Sequence, residues 1–236
     1  MDDMAEDPAE RTREAPWRAG MRAARANVVP GLVVQSVMVV LLLAYYFHPA
    51  TREVLERLAA VKVRWGYAYS AVAAVVAGAA VPELLRIFVF QKGRFMRRNL
   101  SNFVFGSVFW VLIGILVDFF YRCQAVWFGD EAKASVVIPQ VLVDQFLFTP
   151  LITAPLTTWI YEWKNRGYRM RSDFFTIAYY RNHILPTLMA IWGVWIPIVS
   201  ILYTLPETLQ IPVYSLALTM WVMIYTWMSE ERVGRG

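Results

Sequence analysis

Asp144 and Gln145 stand side by side inside Ser135–Trp163, a stretch apolar and long enough to cross a bilayer. At about 1.5 Å of rise per residue, Asp144 falls roughly 14 Å in from Ser135, near the middle of a hydrocarbon layer about 30 Å thick. Placing a carboxylate there costs about 2.5–3.5 kcal/mol, so the residue marks either a pathway or a tie between helices. On an ideal helix Gln140, Asp144, Phe148, Leu151, Pro155, Thr158 and Glu162 share one face, with Gln145, Thr149, Thr153 and Thr157 beside them. Such a stripe has the chemistry of a water-lined path for small polar solutes, towards which Pro150 and Pro155 would free backbone carbonyls. It equally has the chemistry of a dry contact, with Asp144 bonding a neighbouring helix and threonine hydroxyls bonding their own backbone. Asp144 is then protonated, bonded to another helix's polar group, or wet, and only the last makes a conduit.

Other candidates are sparser. Glu83 and Arg86 lie three apart and can pair on one helical face, although Arg86 is also close enough to the loop Gln91–Asn99 to reach the headgroups instead. Asp118 near the end of an apolar segment is either an interfacial charge or part of the same pathway as Asp144. Two carboxylates and His183 could do acid–base work, but the layout below puts His183 and Asp118 on opposite sides, so no enzymatic activity is expected. His183 reads as an interfacial hydrogen-bonder. The single Cys123 excludes an intramolecular disulfide and a cysteine metal site, and His48 and His183 are too far apart for a zinc motif. There is no nucleotide-binding glycine fingerprint, and no cofactor is expected.

Positioning these residues requires a membrane. With 58% hydrophobic and 17% charged residues and a mean hydropathy of +0.43, the chain cannot hide its apolar surface as a water-soluble globule. The expected fold is all-α, a polytopic helical membrane protein with about six spans: Val28–Phe47, Gly66–Phe90, Leu100–Tyr121, Ser135–Trp163, Ile184–Tyr203 and Thr208–Met228. Around them, residues 1–27 form a polar N-terminal segment. Its first half reads as disordered, and its Trp17, Arg18, Met21, Arg22 and Arg25 suit a short surface helix. Thr51–Trp65, where Val54, Leu58, Ala59 and Val61 alternate helically with charged residues, reads as an amphipathic interfacial helix capped by Thr51, Phe174–His183 as an interfacial entry helix, and 229–236 as a polar tail.

The charge of +5 and pI of 9.4 would suggest nucleic acid in a soluble protein, but the basic residues cluster at the ends of apolar segments, so no nucleic-acid partner is expected. Five arginines in residues 1–27, four Lys/Arg in loop 91–99, four in 164–173 and two in the tail face four in 48–65 and two in 122–134. The positive-inside rule therefore puts both termini on the cytoplasmic side or its organellar equivalent. The expected partners are the bilayer, with anionic lipids at the basic loops, and small polar solutes. A homo-oligomer is left open.

Asp144-Gln145-Phe146-Leu147-Phe148-Thr149-Pro150 resembles the DQxxFxP stretch of the 22-kDa peroxisomal membrane protein family, which has peroxisomal and inner-mitochondrial-membrane members. Pro206, Trp221 and Trp227 are spaced like that family's VP step, tryptophan and WxxYLSW-like ending, and Gly114–Tyr121 looks like its GPxxHxWY stretch with Asp118 in the histidine position. Residues 66–228 carry the resemblance, which makes 28–65 look like an added anchor and amphipathic helix. The chain departs from the pattern at Ile198, Ile201 and Gln210, where the family has Gln, Asn and Arg. The resemblance implies permeation of small solutes across an organelle membrane, with scaffolding or lipid interaction as the alternative.

Overall fold

The computed structural model describes residues 16–234, without the side chains of 16, 17, 19, 20, 23, 225 and 227–234. The described residues contain helices and no strands: α1 (Pro16–Ala26), α2 (Val28–Phe47), α3 (Pro49–Trp65), α4 (Tyr67–Phe90), α5 (Arg97–Phe128), α6 (Ala134–Asn165), α7 (Ile177–Leu202) and α8 (Glu207–Gly234). Five of them, α2, α4, α5, α6 and α7, are long and apolar enough to cross a membrane, the build of an integral membrane protein. The sixth expected span falls within α8, outside those five. The disorder expected for residues 1–14 lies outside the described residues.

Three helices carry segments of the wider i→i+5 pattern, at Val76–Ala80 and Arg86–Phe90 in α4, Asp144–Thr153 in α6 and Tyr180–Ile184 in α7. Proline explains most of them. A proline has no N–H to give residue i−4, and its ring crowds that residue's carbonyl. The i−4 residues of Pro82, Pro150, Pro155 and Pro186 are Gly78, Phe146, Leu151 and Asn182, and each lies inside one of these segments. Widening the turn relieves the crowding without ending the helix. Arg86–Phe90 has no such proline and simply closes α4, with the Gln91 N–H donating to the Arg86 carbonyl.

The chain divides into two compact units, each described separately. One comprises Pro30–Val141 and Pro197–Gly236. In it α4 and α5 pack through small residues. A Cβ on Gly114 would stand 2.5 Å from the Ser70 carbonyl oxygen, one on Gly78 would run into the Trp110 ring, and one on Gly106 would press on Ala79. Close approach of this kind is what small residues supply where the surroundings are as apolar as the helices. In the same unit α3 packs on α8, and its Leu55, Ala59 and Lys62 are buried.

The other unit comprises Met1–Val29 and Leu142–Ile196. Its core gathers Ala154, Phe174, Tyr179, Ile184 and Leu188, flanked by Trp159, Trp163 and Trp192. Phe174 is thus a core residue and not part of an interfacial entry helix. The Trp159 indole N–H donates to its carbonyl at 2.8 Å, pinning the loop, and α7 begins only at Ile177. The wide turns at Tyr180–Ile184 then let the span run on without a separate helix before it.

Candidate functional site

The Asp144–Thr153 segment follows a register that an ideal helix does not anticipate. The Ala154 N–H donates to the Thr149 carbonyl, five residues back. Residues five apart therefore stack, and the Thr149 hydroxyl reaches the Asp144 carboxylate at 3.3 Å while the Gln145 side-chain amide donates to it at 3.0 Å. Asp144 and Gln145 are both buried, at 4% and 3% exposure. Both of these donors to Asp144 lie on its own helix.

In this register two carbonyls meet prolines. The Gln145 carbonyl would be served by residue 150 and the Pro150 carbonyl by residue 155, and neither proline has an N–H. Helix α7 supplies both missing donors. The Trp192 indole N–H donates to the Gln145 carbonyl at 3.0 Å, and the Tyr180 hydroxyl donates to the Pro150 carbonyl at 3.0 Å. The Trp192 ring also packs on Phe146 with centroids 5.3 Å apart. The carbonyls expected to open towards a path are thus spent on a neighbouring helix.

Of the face that an ideal helix gives, Gln140, Asp144, Phe148 and Pro155 are buried and Thr158 and Glu162 half-buried. Leu151, placed on the same face by ideal geometry, departs from it: it is 68% exposed, within the i→i+5 segment. Gln140 is buried but belongs to the other unit, where its amide donates to the Gly129 carbonyl at 2.8 Å and its own carbonyl accepts from Gln124 at 2.9 Å. Thr153 is half-buried at the end of the segment, and the Thr158 hydroxyl returns to the Ala154 carbonyl at 2.8 Å. Glu162 sits by Arg166 and Arg171 at 3.7 and 3.8 Å.

A second polar centre lies around Asp118, 2% exposed. It accepts from the Lys62 ammonium at 2.5 Å, the Ser70 hydroxyl at 2.6 Å and the Arg122 guanidinium at 3.1 Å. Lys62 is itself only 4% exposed, with the Gly66 carbonyl at 3.4 Å, and Arg122 lies 4.9 Å from the centre of the Tyr67 ring. Asp118 is therefore a member of a buried ion pair. Sequence reasoning missed Lys62 because Val54, Leu58, Ala59 and Val61 mark out an apolar face on α3. The buried residues are Leu55, Ala59 and Lys62, while Val54 and Val61 are exposed. The signal available was the i, i+4, i+7 spacing of those three residues.

The third centre closes the α4–α5 turn. Glu83, 5% exposed, pairs with Arg86 and accepts from the Asn99 amide at 2.9 Å, and Asn99 in turn accepts from the Met96 N–H at 2.9 Å. Arg86 is engaged by Glu83 and does not only reach outwards. His48 caps α3 by accepting from the Thr51 N–H at 3.3 Å, the reverse of the capping expected of Thr51. His183 is exposed and lies against Tyr179, with ring centres 4.5 Å apart. Among the described residues no three His, Cys, Asp or Glu side chains are grouped to hold a metal ion.

Comparison of the chain with protein-family models, with curated proteins and with solved structures finds no match.

Proposed function

We propose that the chain is a non-conducting membrane protein of scaffolding character, whose mid-span polar residues hold helices together and line no path. The observation that carries this reading is the pairing of the two proline-freed carbonyls, those of Gln145 and Pro150, with the Trp192 indole and the Tyr180 hydroxyl. A conduit needs polar backbone turned to water; here that backbone is bonded to a neighbouring helix. Asp144 accepts from Gln145 and Thr149 within its own helix. In this reading the bilayer is the main partner, anionic lipids meet the basic loops, and both termini face the cytoplasmic side.

The competing reading is a conduit for small polar solutes in a divergent member of the 22-kDa peroxisomal membrane protein family. One observation favours it: the Gln145 side-chain oxygen is buried without a hydrogen-bond partner, a place where water would fit chemically. Purified protein reconstituted into liposomes loaded with small polar solutes decides between the two. Liposomes as tight as protein-free ones are the expected result. Leakage whose rate or charge preference changes in Asp144→Asn would replace the scaffold with the conduit.

A further inference from the structure

The loop from Gln91 to Met96 joins the ends of two helices long enough to cross a membrane, α4 and α5, so it emerges where a bilayer's headgroups begin. It is short and tied down. The Gly93 N–H donates to the Ile87 carbonyl at 2.8 Å and the Arg94 N–H to the Gln91 carbonyl at 3.0 Å. Lys92 and Gly93 both have positive φ, of 53° and 80°, which turns the chain sharply. This fixed turn and the first turn of α5 present Lys92, Arg94, Arg97 and Arg98, all exposed and without an ion pair to any described residue. Four other exposed cations, Arg52, Arg57, Lys133 and Arg166, each have a carboxylate partner at 2.5–3.7 Å. The neighbouring acid, Glu83, is already engaged by Arg86 and Asn99.

The fold itself gains nothing from this placement. Arg97 and Arg98 occupy the first turn of α5, which holds no acidic residue, and cations there oppose the helix dipole. Between the cations stand Phe95, 64% exposed, and Met96, 40% exposed, with Phe88 at 70% just before the turn. Cations that reach phosphates, interleaved with side chains that prefer the acyl boundary, fit one occupant in particular.

We infer that Lys92, Arg94, Arg97 and Arg98 form a binding site for the phosphates of anionic lipids, with Phe95 and Met96 inserted beside the headgroups. The inference rests on the integral-membrane reading and deepens its lipid partner, while standing apart from the question of conduction. Each cation near an anionic surface multiplies association about five-fold.

The test uses the full chain in nanodiscs containing trace spin-labelled phosphatidylglycerol or spin-labelled phosphatidylcholine, reading the motionally restricted fraction of each. Wild-type protein restricts phosphatidylglycerol preferentially, and raising the salt to about 1 M, where screening acts over about 3 Å, abolishes the preference. Lys92→Gln/Arg94→Gln/Arg97→Gln/Arg98→Gln removes the preference at low salt. Arg94→Lys/Arg97→Lys/Arg98→Lys and the control Arg52→Gln/Arg57→Gln/Lys133→Gln/Arg166→Gln retain it. No preference in the wild type, or an equal loss in the control, would overturn the inference. So would displacement of the labelled lipid by millimolar inorganic phosphate, which would make this a site for free anions. Protein that fails to enter the nanodisc would overturn the membrane reading with it.

Discussion

Removing Asp118 should damage this protein more than removing Lys62, although the two form one ion pair. Asp118 accepts from three donors, so in Lys62→Met its carboxylate keeps the Ser70 hydroxyl at 2.6 Å and Arg122 at 3.1 Å. That variant should cost about 1–3 kcal/mol, the value of a lost charged hydrogen bond with the remaining partners in place. Lys62 has less to fall back on. In Asp118→Leu its ammonium is left 4% exposed with the Gly66 carbonyl at 3.4 Å and the Tyr67 ring centre at 6.0 Å. Stranding a buried charge costs about 3–5 kcal/mol. In Lys62→Met/Asp118→Leu no charge is stranded, because the Arg122 side chain is 42% exposed and can turn to water. The double variant should therefore be more stable than Asp118→Leu alone, with a coupling of about 2 kcal/mol or more. Reversible unfolding in mixed detergent micelles, followed by circular dichroism, measures all three. Additive losses, or an Asp118→Leu variant within about 0.5 kcal/mol of wild type, would refute the buried pair.

The same unfolding measurement tests the proline-freed carbonyls. Trp192→Phe should cost about 1–3 kcal/mol by orphaning the Gln145 carbonyl, and adding Pro150→Ala should recover part of that loss by restoring an N–H at residue 150. Gly114→Ala should lose about 1–3 kcal/mol, because its Cβ would stand 2.5 Å from the Ser70 carbonyl oxygen, and crosslinking between α4 and α5 should report their separation. The Arg171–Asp173 clasp, at 2.7 and 2.6 Å, holds the Asp173 carboxyl below the usual carboxylate range through the Arg171 hydrogen bond. Its contribution is present above about pH 4 and is lost as pH falls through the lowered value. Proteolysis of loop 166–176 should therefore accelerate on strong acidification in the wild type and show no such step in Asp173→Asn.

The spans were legible because length and apolarity are written directly into the chain, and Val28–Phe47 has the same bounds in sequence and structure. Faces were harder. Beyond Pro150 the phase of α6 depends on how the helix absorbs two prolines, and a 3.6-residue projection put Leu151 on the wrong side. On α3, apolar periodicity pointed to Val54 and Val61, but apolarity does not identify the packed face where lipid competes for it. Lys62 was invisible for that reason. Asp144 and Gln145 stand out in the sequence by their cost at mid-span, whereas the donors that complete the segment, Tyr180 and Trp192, sit on another helix and leave no local signature.

Hydrogen–deuterium exchange of the intact protein in nanodiscs, read on a peptide covering Asp144–Thr153, asks most directly whether this segment is dry. A locked segment should have amides that remain protected for hours while those of loop 166–176 exchange within seconds. Exchange of Asp144–Thr153 as fast as that loop would mean that water reaches the freed carbonyls, and the scaffold account would be wrong.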